Sequence, residues 1–241
     1  MGLRRRAFFT AAASTVAAAG AISLAFNDVG RLEISYLTAG LGCKVVFLPD
    51  LHLHGDGVYE RRLLDTVNEL EPDVAMLGGD LVDRLTHDIG FVERFISAIN
   101  ASEKFYVLGN HEYWSGYANT VRNLLDKHGY RELRGAVESR YVGSLYGLDW
   151  RDDRVYPFVE SYGLVVVHDP NAADYIKGDC IILAGHTHGG LVINNQTLLS
   201  NSKYVRGLYR LGNGTVLYVS RGLGQMIPIR LLSPPELLVL V

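Results

Sequence analysis

Five short segments carry side chains able to hold a metal ion. They are Asp50-Leu51-His52, Gly79-Asp80 with Asp83 three residues on, Gly109-Asn110-His111-Glu112, His168, and Gly185-His186-Thr187-His188. Each follows an apolar run: Val45–Leu48, Val74–Leu77, Phe105–Leu108, Val165–Val167 and Ile181–Leu183. Carboxylates, an amide oxygen and imidazoles make a donor set suited to borderline divalent ions such as Mn, Fe or Zn. Five of the eight histidines fall in these segments. Asp50 and His52, two apart on extended chain, project to the same side. A lone Asp-x-His or Gly-Asn-His is commonly just a turn. Five such segments in series, each at the end of an apolar run, are not explained by unrelated turns.

Elements must bring these segments together. The apolar runs read as buried strands, and between them lie helical stripes. Leu63, Leu64, Val67 and Leu70 predict a helix over 60–70 that Pro72 stops. Phe91, Val92, Phe95, Ile96 and Ile99 predict a second, and Val121, Leu124 and Leu125 a third that ends before Gly129. Strand and helix alternating in this rhythm imply parallel βαβ units. Ligands of open α/β sheets bind at the carboxyl ends of such strands. The second half leaves little room for long helices, and residues 204–219 read as a hairpin closed around Asn213-Gly214. The expectation is an α/β fold in one domain over residues 27–241, preceded by a leader.

That leader has Arg4, Arg5 and Arg6 followed by twenty uncharged residues, 7–26, containing the small run Ala17-Ala18-Ala19. Its layout is that of a secretory signal, and Arg5-Arg6-Ala7-Phe8-Phe9 resembles a twin-arginine signal. An uncleaved anchor has the same length. Export across the cytoplasmic membrane, to the cell envelope or a membrane-anchored position, is therefore expected. The whole chain of 241 residues carries 23 basic and 26 acidic residues, a formal charge of −3. Without residues 1–26 the body keeps 20 basic against 26 acidic residues, and no nucleic-acid footprint is expected. Two cysteines, Cys43 and Cys180, exclude a disulfide framework. Both read as small buried hydrophobes, with a disulfide between them open.

The ordered series Asp50-x-His52, Gly79-Asp80-x-x-Asp83, Gly109-Asn110-His111-Glu112, His168 and Gly185-His186-Thr187-His188 resembles the calcineurin-like metallophosphoesterases, across nearly all of residues 43–241. Residues 218–224, Pro228-Ile229-Arg230 and Pro234-Pro235-Glu236 look like the exported or membrane-associated bacterial branch. That branch holds twin-arginine-exported phosphoesterases and UDP-2,3-diacylglucosamine pyrophosphatase-like enzymes. The sequence departs from the pattern at Leu191, where many relatives carry Gln, and at Pro49, where Ser is common.

The resemblance implies a sandwich of two β-sheets flanked by helices, and two divalent metal ions. Asp50, His52 and His188 would hold the first, Asn110, His168 and His186 the second, with Asp80 bridging. His111 would protonate the leaving oxygen and Asp83 would orient His111; read from the residues alone, Asp83 is equally a helix N-terminal carboxylate. The implied substrate is a phosphoric ester or anhydride, lipid-linked or of the cell envelope, with membrane association. A broad exported phosphatase or nucleotide phosphodiesterase is the alternative. A non-catalytic scaffold fits poorly, because every ligand and His111 are present. Arg221 is a candidate for a substrate phosphate, with a structural ion pair as the other reading. His54 reads as a loop residue, and Tyr113, Trp114 and Tyr117 as a group that packs a helix or meets a lipid.

Overall fold

The computed structural model describes residues 30–241 except 194, 195, 213, 228, 229 and 231. The leader read over residues 1–26, Asn213 and the Pro228-Ile229 pair lie outside the described residues.

Among the described residues sixteen strands follow in chain order. β1 is Glu33–Leu37, β2 Val45–Leu48, β3 Val74–Gly78, β4 Glu103–Val107, β5 Tyr130–Glu132, β6 Gly135–Ser139, β7 Gly143–Leu148 and β8 Val159–Glu160. β9 is Leu164–Val167, β10 Ile176–Lys177, β11 Ile181–Ala184, β12 Leu191–Ile193, β13 Gln196–Leu199, β14 Gly207–Gly212, β15 Thr215–Val219 and β16 Glu236–Leu240. The helices are α1 (Val58–Glu69), α2 (Ile89–Ser97), α3 (Asn110–Trp114) and α4 (Ala118–Lys127). Two six-stranded sheets result, ordered β1-β16-β2-β3-β4-β5 and β14-β15-β11-β9-β7-β6. β2 to β5 are mutually parallel, as are β7, β9, β11 and β15.

Alternation along the strands builds three apolar layers. Val45 and Phe47 of β2, with Val74 and Met76 of β3, meet Leu145, Leu164, Val166 and Leu183 between the two sheets. Val46, Leu48, Ala75 and Leu77 face outward onto Leu63, Val67, Phe91, Phe95, Val121 and Leu125 of α1, α2 and α4. Both faces are covered, which is why these strands are continuous apolar runs. The outer face of the second sheet packs under the 3-10 helix Pro170–Tyr175 and Tyr156. The α-helices thus flank one sheet, and a short turn with a loop covers the other.

Local chemistry sets the helix ends. The Asp88 carboxylate accepts from Phe91 N at 2.8 Å and caps α2, a contact worth about 1 kcal/mol. Gly129, with φ 77°, takes the left-handed position that stops α4. The expected hairpin is present, with β14 antiparallel to β15. Cys43 and Cys180 are separate thiols, so no disulfide joins them.

Candidate metal centre

Each of the five segments leaves the carboxyl end of a parallel strand, and the ends of both sheets meet at one rim. Gly78 O, at the end of β3, receives His168 Nδ1 from the end of β9 at 2.9 Å. Asp50 N and His52 N donate to Gly79 O and Asp80 O, both at 2.9 Å, so the loops after β2 and β3 run side by side. Close approach to the Asp50 carboxylate requires glycine at two positions. A Cβ on Gly185 would stand 2.5 Å from Asp50 Oδ2, and one on Gly222 would stand 2.7 Å from it.

All seven expected ligands come together. Asp50, His52 and His188 offer atoms within 4.8 Å of one another, and so do Asp80, His168 and His186. His168 Nε2 lies 3.1 Å from Asp80 Oδ2, 3.0 Å from Asn110 Oδ1 and 3.2 Å from His186 Nδ1. Asp80 also lies 3.8 Å from His52 Nε2, so its carboxylate stands between the two groups. His52, Asp80 and His111 form a third close set. Asp50 accepts from His186 N at 2.9 Å.

The buried carboxylates and imidazoles shift one another's ionisation. Burial pushes the Asp50 carboxyl up to about 6 against the pull of His168. Burial opposes ionisation of Asp80 too, but His168 and His52 outweigh it and hold Asp80 well below the usual carboxylate range. His168, although buried, is raised to about 10 by Asp80 and Asp50. Burial also opposes a proton on His52, yet the bond it donates to Asp83 and the Asp80 charge raise its pKa. His186 is pushed down to about 3 by burial and by His168.

A fit test for a cation rests on His52. Its Nδ1 is 2.9 Å from Asp83 Oδ2, while its buried Nε2 has no hydrogen-bond partner among the described residues. Such an orphaned atom is costly, and a carboxylate behind an imidazole whose other nitrogen faces inward is how metal-binding histidines are oriented. His168 repeats the pattern, with Nδ1 on the Gly78 carbonyl and Nε2 inward. The donor set fits borderline divalent ions.

Two expectations need correction. Asp83 does not bond to His111; its Oδ2 takes His52 Nδ1 and His54 Nε2, each at 2.9 Å, because the loops after β2 and β3 lie side by side. Nor does Arg221 face the cluster as a substrate ligand. Its guanidinium lies 2.9 Å from Glu33 and 3.3 Å from Glu236, tying β1 and β16 to the loop after β15. His54, read as a loop residue, is held by Asp83. Of the aromatic group, Tyr117 packs on the helical layer, whereas Trp114 is 59% exposed at the cluster's edge.

Sequence reasoning missed several residues here. Glu112 is fully buried and accepts from Asp80 N at 2.9 Å, Val82 N at 3.1 Å and Gly109 N at 2.8 Å, locking two loops together. Its place within the Gly-Asn-His-Glu motif was the available signal. Arg230 is buried, donates to the Arg221, Gly224 and Ser233 carbonyls, and lies 3.4 Å from His188 Nδ1. Asn201 Nδ2 lies 3.1 Å from His186 Nε2. Arg230's signal was its place in Pro228-Ile229-Arg230; Asn201 carries none.

Two mixed, mainly parallel sheets stacked face to face, with such a cluster at their shared rim, define a metallophosphoesterase-type α/β sandwich. The family model described as calcineurin-like phosphoesterase matches residues 43–190, and the chain belongs to that family. It is 34% identical to an uncharacterized metallophosphoesterase of Campylobacter jejuni, over 88% of this chain and 62% of the relative. It is 31% identical to another of Aquifex aeolicus, over 86% and 88%. A transmembrane protein with metallophosphoesterase domain from Danio rerio is 27% identical over 81% and 52%. The chain thus spans about three fifths of the Campylobacter relative's length. A solved Thermus thermophilus structure is similar with TM-score 0.44 at 15% identity, over 73% of this chain and 88% of that one. No helix among the described residues is long and apolar enough to cross a membrane.

Proposed function

We propose that the chain hydrolyses phosphoric esters or anhydrides with two divalent ions, Mn, Fe or Zn. Asp50, His52 and His188 would hold one, Asn110, His168 and His186 the other, with Asp80 between. The buried Nε2 of His52, without a hydrogen-bond partner among the described residues, carries this reading. Ions there supply Lewis acidity toward a phosphoryl oxygen and acidify a water for attack on phosphorus. The protein's own groups do the rest. Asp83 and the Gly78 carbonyl hold Nδ1–H on His52 and His168, which keeps both Nε2 lone pairs directed inward. Glu112 fixes the backbone that presents Asp80. His111, its backbone N bonded to Asp80 Oδ1 at 2.8 Å, stands beside the ligands and moves a proton from its ring to the leaving oxygen.

The finer reading is a lipid-linked or envelope substrate. What supports it is a cavity of about 670 Å³ that reaches from His52, His111 and His188 outward between Leu191, Leu199, Met226 and Ile227. Of these, Leu199 is 70% and Ile227 56% exposed. Envelope delivery rests on residues 4–26 alone; fractionation of cells making the full chain and an Arg5→Lys, Arg6→Lys variant tests it, and an unchanged distribution argues against the twin-arginine route.

The enzymatic reading is tested with p-nitrophenyl and bis-(p-nitrophenyl) phosphate in Mn²⁺. Turnover should vanish with EDTA, and His111→Ala should lower kcat about 10²–10⁴-fold with ion content unchanged. Full activity in that variant refutes the acid role. A panel of lipid phosphodiesters against nucleotides at matched metal tests the finer reading, and a preference for nucleotides sinks it.

A further inference from the structure

Asp83 bonds to His52, so the ring of His111 needs another support. Among the described residues no hydrogen bond reaches that ring. Its neighbours are the His52 ring, with centroids 5.0 Å apart, and the Trp114 ring at 5.5 Å, each meeting it at an edge. Trp114 closes the five-residue α3 and is 59% exposed, so burial does not fix it. Its indole N–H donates at 3.0 Å to Asp152 Oδ1, and the same oxygen accepts the Trp150 N–H at 2.8 Å. Trp150 is a fixed post. It is buried, its ring 5.0 Å from His186, 5.9 Å from His168 and 5.7 Å from the Arg154 guanidinium. A second tie leaves the same helix end, where the Tyr113 hydroxyl donates to Asp149. Asp149 and Asp152 follow β7 of the second sheet, whereas α3 follows β4 of the first.

We infer that Asp152 is a positioning residue: it fixes the Trp114 ring against the Trp150 post, and that ring orients His111 toward the leaving oxygen. The inference rests on the phosphoesterase reading. An imidazole without a hydrogen bond has a broad, two-fold χ2 well, and an edge-to-face aromatic neighbour narrows it. Orientation matters because a misplaced proton donor loses rate steeply. As the P–O bond breaks, its electron pair goes to the leaving oxygen, which takes the His111 ring proton and departs as the alcohol. The oxygen of the attacking water becomes bonded to phosphorus, one of its protons passes to solvent, and solvent reprotonates the ring. The poorer the leaving group, the more the reaction needs that proton.

The Mn²⁺-loaded full chain is assayed with 2,4-dinitrophenyl, p-nitrophenyl and phenyl phosphates and with the corresponding methyl aryl diesters. Dinitrophenolate leaves without a proton; phenolate does not. Trp114→Ala and, independently, Asp152→Ala should lower kcat on the phenyl esters about 10–100-fold and on the dinitrophenyl esters less than about threefold, with ion content unchanged. Asp152→Asn keeps an amide oxygen that accepts both indole N–H groups, and should return the phenyl rate to within about threefold of wild type. An equal loss on every ester marks a merely structural role and overturns the proposal. So does a raised KM with kcat kept, which would make Trp114 a binding wall. A measurement without turnover separates the failures. In the Zn²⁺-loaded full chain, the NMR order parameter of the His111 Cε1–H should fall in Trp114→Ala and Asp152→Ala and hold in Asp152→Asn. Unchanged order overturns the positioning role whether or not esters are cleaved. Lost order in variants of a chain that cleaves none of them overturns the phosphoesterase reading and leaves Asp152 as the support of the His111 ring.

Discussion

Replacing Asp83 by Asn separates two roles for this residue. Its Oδ2 receives His52 Nδ1 and His54 Nε2, and its Oδ1 accepts from Leu85 N at 2.7 Å. An amide of the same shape fails in either orientation. With its NH₂ toward His52, it donates to Nδ1 and moves the imidazole proton to Nε2, which closes the inward lone pair. With its oxygen toward His52, the NH₂ meets the Leu85 N–H donor to donor. Either way a charge-assisted bond worth about 1.5–3 kcal/mol is lost. Asp83→Asn should therefore weaken one divalent ion by roughly 10–100-fold, the range for groups that orient metal ligands. The ion on the Asn110, His168 and His186 side should change by less than about threefold, since no bond from Asp83 reaches it. Competitive titration with a chelating indicator, resolving two binding steps, measures this. If both steps keep wild-type affinity while kcat falls, Asp83 acts on His111 after all and the tautomer argument is wrong.

The buried cluster also sets a pH dependence. Asp50 is raised to about 6, Glu112 to about 7 by burial and Asp80, and His168 to about 10. A raised group contributes stability below its unfolded pKa and loses it as pH rises through the folded value. Asp50 and Glu112 lose theirs by about pH 7 and His168 its own between about pH 6.5 and 10, so the chelated protein should lose Tm as pH rises to about 10, and Mn²⁺ should restore most at the alkaline end, with proton release on binding; a flat profile refutes the charge assignment. Gly185→Ala places a Cβ 2.5 Å from Asp50 Oδ2; it should cost about 1–3 kcal/mol in denaturant unfolding and weaken the ion held by Asp50, and wild-type affinity would show that the loop yields freely. Arg221→Ala, which strands Glu236 beside Glu33, should cost about 2 kcal/mol, between exposed and buried pairs. Hydrolysis by Arg221→Ala should stay within about twofold of wild type; a raised KM would return Arg221 to the substrate.

Strands β2, β3, β4, β9 and β11 were legible because burial on both faces removes polar residues, leaving runs bounded by the ligand motifs. Their helices were legible by stripe and stop signal. The partners that complete the site were not. Glu33–Leu37 lies parallel to Glu236–Leu240, and nothing local announces a pairing some two hundred residues apart. The same distance hides Glu33 from Arg221. Asp83 was found but given the wrong partner, since sequence shows that it is near Asp80 and not that the 49–53 and 79–83 loops run side by side. Trp150, Arg154 and Asn201 reach the rim from loops with no periodicity.

The ligand types are legible for a second physical reason. Asp50, His52, Asp80, His186 and His188 all have left-handed backbones, with φ of 55°, 43°, 54°, 72° and 49°. Among residues with a side chain, Asp, Asn and His are enriched several-fold there, and β-branched residues are nearly excluded. Each such residue costs of order 1–3 kcal/mol, and the cost recurs at the same place in the loops after β2 and β3, where Asp50 and Asp80 share one turn. Those loops are held in it by the paired backbone bonds from Asp50 N and His52 N and by Glu112 on Asp80 N and Val82 N. Both carboxylates so presented reach the cluster at the rim where the two sheets meet. Metal chemistry and backbone conformation therefore select the same few residue types. A motif chosen twice over stays recognisable when the loops around it do not.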